Sequence, residues 1–267
     1  DTIKTRGLAL LGCGKMGSAM LEGWLKQGLP AASVWVKDPR PSDWVKAQGV
    51  RLNEDLPENP ALVLVAVKPQ MMEEALPVLK SYGNGDTIFL SVAAGTTIGH
   101  YEETLGAHTP VIRSIPNTPA AIGRGITGLI GNAHVGEGAM QLAETLLSAI
   151  GQTVRLDNEG QMDAVTAMSG SGPAYVFHLI EAMAAAGVAQ GLSPELSMTL
   201  AKATVGGAGQ LAEDSSETPT QLRINVTSPN GTTQAALEVL MDETKGFPTL
   251  MRDAVDAATR RSKELGA

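Results

Sequence analysis

One short stretch near the N-terminus restricts the fold of this chain more than any other. Leu8-Ala-Leu-Leu11 is an unbroken apolar run, and Gly12-Cys-Gly14-Lys-Met-Gly17 follows it directly. Met20, Leu21, Trp24 and Leu25 then recur at helical spacing. Strand, glycine turn and helix in that order open a parallel-sheet unit that binds a dinucleotide. Gly12 would allow the tight turn, Gly14 would let backbone approach a pyrophosphate, and Gly17 would let the helix pack close on the strand. A second apolar stretch, Val34-Trp-Val-Lys37, begins about twenty residues on, where that unit needs its next strand.

The alternation continues through the first half. Strands are expected at Leu8–Leu11, Val34–Lys37, Ala61–Val67, Thr87–Val92, Val111–Ile115, Gly125–Ile130 and Thr153–Leu156, with helices at Ser18–Gln27, Met71–Tyr82 and Glu137–Ile150. Such alternation gives a parallel sheet with helices on both faces, and its ligand crevice lies at the carboxyl ends of the strands. Gly12–Gly17, Lys37–Arg40, Ala66–Pro69 and Val92–Gly95 all fall there. Strand signals stop after Asp157-Asn-Glu-Gly160. Beyond it Ala, Met and Leu dominate at helical spacing, interrupted at Ser169-Gly-Ser-Gly-Pro173 and Gly187–Gly191. Further helix starts are read at Leu192-Ser-Pro-Glu195 and Ser215-Ser-Glu-Thr-Pro219. The expected fold is α/β: an N-terminal Rossmann-type parallel-sheet domain over residues 1–160, then an all-α C-terminal domain over 161–267.

Composition narrows the function. Apolar residues make up 43% of the 267, enough for a core, although aromatics are only 3%. A small alanine-rich helical domain has a poor surface-to-volume ratio, so it is expected to bury a face against a copy of itself. A net charge of −8 argues against nucleic acid or an anionic membrane as a partner, while leaving a local anion site open. The single cysteine, Cys13, excludes an intramolecular disulfide and a Cys-based zinc site, and inside the glycine loop it reads as a small space-filler. His100, His108, His134 and His178 lack metal-ligand spacing, so no metal site is expected. No eighteen-residue apolar run is read, and the N-terminus lacks the charged-then-apolar form of a secretion signal. A cytoplasmic protein is expected.

A second anion cradle is read at Asn225-Val-Thr-Ser-Pro-Asn-Gly-Thr-Thr233, ahead of the helical pattern Ala235, Ala236, Val239, Leu240. Pro229 and Gly231 mark a turn, and Asn230 between them is the residue type, after glycine, that best tolerates positive φ. Ser228, Thr232 and Thr233 bring hydroxyls to a helix start whose first amides lack internal partners. An ordinary capped loop would read the same from spacing alone.

Together these stretches give the chain its resemblance. Gly12–Gly17, Ala66-Val-Lys-Pro69, Ser91-Val-Ala-Ala-Gly95, and Ala167-Met-Ser-Gly-Ser-Gly-Pro-Ala-Tyr175 with Thr227–Thr233 resemble the pyrroline-5-carboxylate reductase family. Arg113-Ser-Ile-Pro-Asn-Thr-Pro119 is a supporting match. The resemblance covers almost the whole chain and implies reduction of L-1-pyrroline-5-carboxylate to L-proline by hydride transfer from NAD(P)H. It also implies C-terminal domains that interlock in a homodimer, with rings of dimers such as a decamer in many members.

Roles follow from the resemblance residue by residue. The substrate carboxylate would meet backbone amides and hydroxyls at Ser228, Gly231, Thr232 and Thr233, with Thr233 also bonding the ring nitrogen as the proposed proton donor. Asn230 stands where the usual loop has a glycine, which leaves the cradle intact and puts in doubt any contact needing a bare Cα there. Glu217 would lie near the substrate nitrogen, with a helix-cap acid as the alternative. The cofactor would meet Leu11, Gly12, Cys13, Gly14, Lys15, Met16 and Gly17, then Ala66, Val67, Lys68 and Pro69, and Val92, Ala93 and Ala94. Asn53 would contact the adenine ribose and Asn225 the cofactor. Lys68 is assigned to cofactor or loop anchoring rather than catalysis.

Cofactor choice turns on the end of the second strand. Asp38 there reads as a ligand of a ribose 2′-hydroxyl, hence NADH, whereas Lys37 and Arg40 beside it suit a 2′-phosphate. The family's preference favours NADPH, with NADH possible. Alternatives are another NAD(P)-dependent imine reductase, a β-hydroxyacid dehydrogenase, or a non-catalytic NADP(H)-binding protein. The missing lysine in Met168–Phe177 counts against the dehydrogenase, and the hydroxyls of Thr232 and Thr233 count against the last.

Overall fold

In the computed structural model, residues 2–266 are described. The chain forms two compact units, one running to Gly170 and including the C-terminal stretch from Thr259, the other Ser171–Ala258.

The first unit is built on strands β1 (Leu8–Leu11), β2 (Val34–Lys37), β3 (Arg51–Leu52), β4 (Leu62–Val65), β5 (Ile88–Ser91), β6 (Val111–Ile115), β7 (Gly125–Gly131) and β8 (Gly151–Arg155). Its helices are α1 (Thr2–Arg6), α2 (Lys15–Lys26), α3 (Asp43–Lys46), α4 (Met72–Ala75), α5 (Ile98–Leu105), α6 (Glu137–Leu147) and α7 (Met162–Val165). The sheet order is β3-β2-β1-β4-β5-β6-β7-β8. From β3 to β6 it is parallel, with Leu8 opposite both Val34 and Leu62. The direction of chain progression reverses between β1 and β4, and that switch point is where open α/β sheets bind ligands.

The central strands β1 and β4 are wholly apolar and buried along their length because both faces are covered. Leu8, Leu10, Leu62 and Leu64 pack with Met20, Leu21, Trp24 and Leu147. The alternate residues Ala9, Leu11, Val63 and Val65 pack with Met72, Leu76, Leu79, Tyr101 and Leu105. The Trp24 indole N–H donates to the Leu146 carbonyl at 2.8 Å, so burial leaves that donor satisfied.

Three expectations need correction, and one strand was not read. β7 runs antiparallel to β6, with Ile112 opposite Gly131 and Ile115 opposite Gly128, so the sheet is parallel-dominated rather than wholly parallel. The expected helix Met71–Tyr82 is broken into 3-10 turns around α4, because Pro77 lacks the N–H that a continuous helix would need. β3, only two residues long, carried no readable period. Among the described residues one stretch, Glu159–Ala189, is long enough to cross a membrane and contains an 18-residue window apolar enough to do so by composition, with mean hydropathy 1.2.

The second unit contains α8 (Gly172–Ala189), α9 (Pro194–Asp214), α10 (Pro219–Asn225) and α11 (Thr232–Leu240), and α12 (Phe247–Leu265) begins in it. Just before α8, a π-helical turn at Thr166–Gly170 occupies the Ser-Gly-Ser-Gly-Pro interruption, and Pro173 sits in the first turn of α8. Gly187 brings α8 close to α9, since a Cβ there would lie 2.8 Å from the Ser197 hydroxyl. Among the described residues of this unit only Ala184, Ser197, Ala201 and Gly246 are buried. Phe177 and Val226 are 59% and 66% exposed. A helical unit with so little of its apolar surface removed from water lacks a core of its own.

Candidate active site

The glycine loop joins β1 to α2 at the switch point, and each glycine has a separate geometric reason. Gly12 has φ +83°, and a Cβ on it would sit 2.9 Å from the Ala66 carbonyl oxygen at the end of β4. A Cβ on Gly17 would sit 2.9 Å from the Gly12 carbonyl, so only glycine lets α2 start this close under the loop. At Gly14 a Cβ would meet nothing within 4 Å. Gly14 is also the N-cap of α2 and has no side chain to satisfy the helix's first amides. Open space above unsatisfied N–H groups at a helix N-terminus is a cradle for an anion. Starting at Lys15 rather than Ser18, α2 includes the last glycine of the motif.

A cleft of about 460 Å³ opens beside this loop. Leu11, Gly12, Cys13, Gly14, Lys37, Asp38, Arg40, Asn53, Ala66, Val67 and Lys68 line it, together with Pro39, Met71, Glu74 and Ala75. Pro39 lies inside the stretch Lys37–Arg40 already placed at the crevice, whereas Met71, Glu74 and Ala75 were not read as site residues; the Pro69 break that turns the chain toward the cleft was their one visible signal. Lys15, Met16, Gly17 and Pro69 adjoin the cleft in sequence without lining it. Val92, Ala93 and Ala94 follow β5 at the same carboxyl edge of the sheet, outside this cleft's wall. Ser91 organises that exit: its carbonyl accepts from the Ser114 hydroxyl at 2.7 Å, and its hydroxyl accepts from Ala93 N–H at 3.2 Å and from Tyr101 at 2.5 Å.

Polar groups along the cleft are ordered. Asp38 accepts from the Cys13 and Arg40 amides, each at 2.8 Å. Asn53, at φ +58°, accepts from Asp38 N–H at 3.0 Å through its carboxamide oxygen and donates to the Asp38 carbonyl at 2.9 Å. Lys37 reaches the Asn53 carbonyl at 3.3 Å. Cys13 is buried, and burial pushes its thiol up from its ordinary value, which agrees with a space-filling role. Open backbone at Gly14, free helix amides and the cations Lys37, Arg40 and Lys68 make a site that fits a dinucleotide.

In the second unit the loop before α11 takes the shape read from sequence. Gly231 N–H donates to the Ser228 carbonyl at 3.1 Å, and Asn230 has φ +58°, as position three of a type II turn requires. The first helical bond runs from Ala235 N–H to the Gly231 carbonyl, so the amides of Thr232 and Thr233 stay outside the intrahelical ladder. Gln234 accepts from Asn230 N–H at 2.7 Å and braces the turn. Gln234 stands where a capping box has its Gln, but it takes the amide one residue before the N-cap, and with glycine at the N-cap the usual signature was hidden. Glu217 and Asn225 are brought together: the Asn225 amide donates to the Glu217 carboxylate at 2.9 Å and accepts from Gln221 at 2.8 Å.

Comparison with known proteins accords with both halves. The family model for pyrroline-5-carboxylate reductase dimerisation matches residues 159–265, and one for NADP oxidoreductase, coenzyme F420-dependent, matches residues 7–95. A pyrroline-5-carboxylate reductase from Pseudomonas aeruginosa is 40% identical over 269 residues, covering 98% of each chain. The one from Pisum sativum is 37% identical, covering 97% of this chain and 95% of its own. A solved pyrroline-5-carboxylate reductase structure from Coxiella burnetii superposes with TM-score 0.93 at 32% identity, covering 98% of this chain and 99% of that one. The Plasmodium falciparum enzyme, solved with NADP bound, gives TM-score 0.84 at 29% identity, covering 99% of both chains. With a glycine loop that fits a dinucleotide and a dimerisation half carrying the second cradle, the chain belongs to the pyrroline-5-carboxylate reductase family of NAD(P)H-dependent oxidoreductases.

Proposed function

We propose that this protein reduces L-1-pyrroline-5-carboxylate to L-proline with NADPH, the last step of proline biosynthesis, and that NADH serves less well. The observation that carries this reading is the pairing, in one chain of this family, of an open glycine cradle at Gly14 with the free amides of Thr232 and Thr233 at the start of α11. The cofactor supplies the hydride; the chain supplies orientation and electrostatics. Residues 1–160 hold the dinucleotide, with the loop Leu11–Gly17 on the pyrophosphate. Lys37 and Arg40 meet the 2′-phosphate, Asn53 lies at the ribose, and Ala66–Pro69 with Val92–Ala94 line the rest. Residues 161–267 dimerise and hold the substrate.

The substrate carboxylate is received by the amides and hydroxyls of Ser228, Gly231, Thr232 and Thr233, where the α11 dipole favours negative charge. Thr233 faces the ring nitrogen. A hydroxyl is a weak acid, so Thr233 orients an iminium that is already protonated or relays a proton from water. Glu217 stabilises the positive charge on that nitrogen, and Asn225 holds its carboxylate in place. The dimer, and any ring of dimers built from it, covers the apolar faces of α8 and α9; the enzyme works in the cytoplasm.

The test is NADPH oxidation with pyrroline-5-carboxylate, measured against hydroxy acids and other cyclic imines. Preference for pyrroline-5-carboxylate by a factor of a hundred or more in kcat/KM is expected. Faster turnover of a hydroxy acid, or none of any substrate despite cofactor binding, rejects the reading.

A further inference from the structure

An acid that closes the second strand of a dinucleotide fold ordinarily grips the ribose 2′-hydroxyl and repels a 2′-phosphate. Asp38 occupies that place, but its side chain is committed elsewhere. One carboxylate oxygen accepts from Cys13 N–H in the glycine loop and the other from Arg40 N–H, both at 2.8 Å. Hydrogen bonds from amides to a carboxylate are the stronger, charge-assisted kind, and here they draw its charge toward the backbone. The Asp38 backbone is held as well, since Asn53 clasps both its N–H and its carbonyl. Asn53 is in turn fixed by its own N–H on the Val36 carbonyl at 2.8 Å.

One residue therefore fastens three segments that end at the same edge of the sheet. These are the glycine loop after β1, the turn Asp38-Pro39-Arg40 after β2, and Asn53 after β3. Arg40 lies on the turn that Asp38 closes. Its side chain is exposed on the cleft and makes no hydrogen bond or ion pair among the described residues.

We propose that Asp38 is a positioning residue for the cofactor. Through Cys13 it fixes the loop that receives the pyrophosphate, and through the Arg40 amide it sets the turn that carries a guanidinium to the 2′-phosphate. The acid thus sustains a preference for NADPH instead of opposing it. The proposal rests on the dinucleotide reading above and makes the opposite forecast from a ribose-gripping acid. Removing such a ligand raises the NADPH-to-NADH preference; removing this latch lowers it.

The experiment compares wild type, Asp38→Ala, Asp38→Asn, Arg40→Ala and the Asp38→Ala/Arg40→Ala double variant. Dissociation constants for NADPH and NADH come from fluorescence titration, and amide hydrogen exchange is followed in the cofactor-free protein. Asp38→Ala should weaken NADPH at least tenfold and NADH clearly less. The same change made in the Arg40→Ala background should leave the preference where Arg40→Ala put it. Amides of Cys13 and Arg40 should exchange at least tenfold faster in Asp38→Ala without cofactor. Asp38→Asn, which keeps one acceptor, should fall between, and it carries the comparison if Asp38→Ala does not fold. A rise in NADPH preference, equal weakening of both cofactors, or unchanged exchange at Cys13 and Arg40 overturns the proposal. If wild type binds neither cofactor, the dinucleotide reading itself fails.

Discussion

Thr233 is half-buried at the second helical position of α11, and its hydroxyl makes no hydrogen bond among the described residues. A hydroxyl so placed is available to substrate, and Thr233→Ala should lower kcat about ten- to hundred-fold. The dissociation constant for NADPH should change little, because that residue belongs to the other cradle; unaltered turnover would remove Thr233 from the mechanism. Lys37 and Arg40 test a different contact. Replacing both with Ala should weaken NADPH much more than NADH in a titration of each, whereas equal loss would show that neither reads the phosphate. Asn230 illustrates what could be read at this scale. A positive φ between Pro229 and Gly231 follows from local sterics alone, and it is observed at +58°. The hydrogen bond between Asn225 and Glu217 could not be read the same way, because it spans the turn of chain that α10 makes.

At the scale of elements, β5 and α5 are joined by a buried phenol. Tyr101 is fully buried, its hydroxyl donates to Ser91, and burial pushes its pKa up to about 12. The unfolded chain releases that proton near 10, so the folded state binds it more tightly. The stabilisation is therefore complete below pH 10 and is lost as pH rises from 10 to about 12. It amounts to about 2–3 kcal/mol. Urea melts at pH 9 and 11 should show this fall, and Tyr101→Phe should flatten it while lowering stability at pH 9 through the lost bond; an unchanged slope in the variant would exclude Tyr101 as its source. Orientation of β7 is an element-scale matter too. A parallel crossover needs roughly a dozen residues or more. The link 116–124 is too short for one, so the antiparallel pairing was legible in its length. By the same logic Pro77 announced the break in the helix expected at Met71–Tyr82.

For the molecule as a whole, the exposed apolar side chains of the second unit set the expectation. Phe177, Leu196, Leu200, Leu211 and Val239 stand in water in a single protomer, a surface that a second copy in an isologous pairing would cover. The protein should be at least dimeric at micromolar concentration, and activity should fall together with the dimer on dilution. Sedimentation run beside the assay checks this. A stable, fully active monomer would remove the interface.

Sequence alone determined what depends on neighbours along the chain. The glycine turn follows from φ and the missing Cβ, the strands from short apolar runs, and the helix starts from Ser193 and Thr218, whose side chains accept from Leu196 and Gln221 amides. Tertiary structure decided what depends on groups distant in sequence. Asp38 reads from sequence as a ribose ligand, and only the fold shows Cys13 N–H, 25 positions away, against its carboxylate. Gln234, Met71 and Glu74 became visible as site residues only when turns folded them toward a cradle or a cleft. Periodicity records which face of an element is apolar, but it carries no information about which polar atom meets which, because that pairing is fixed by how the segments pack.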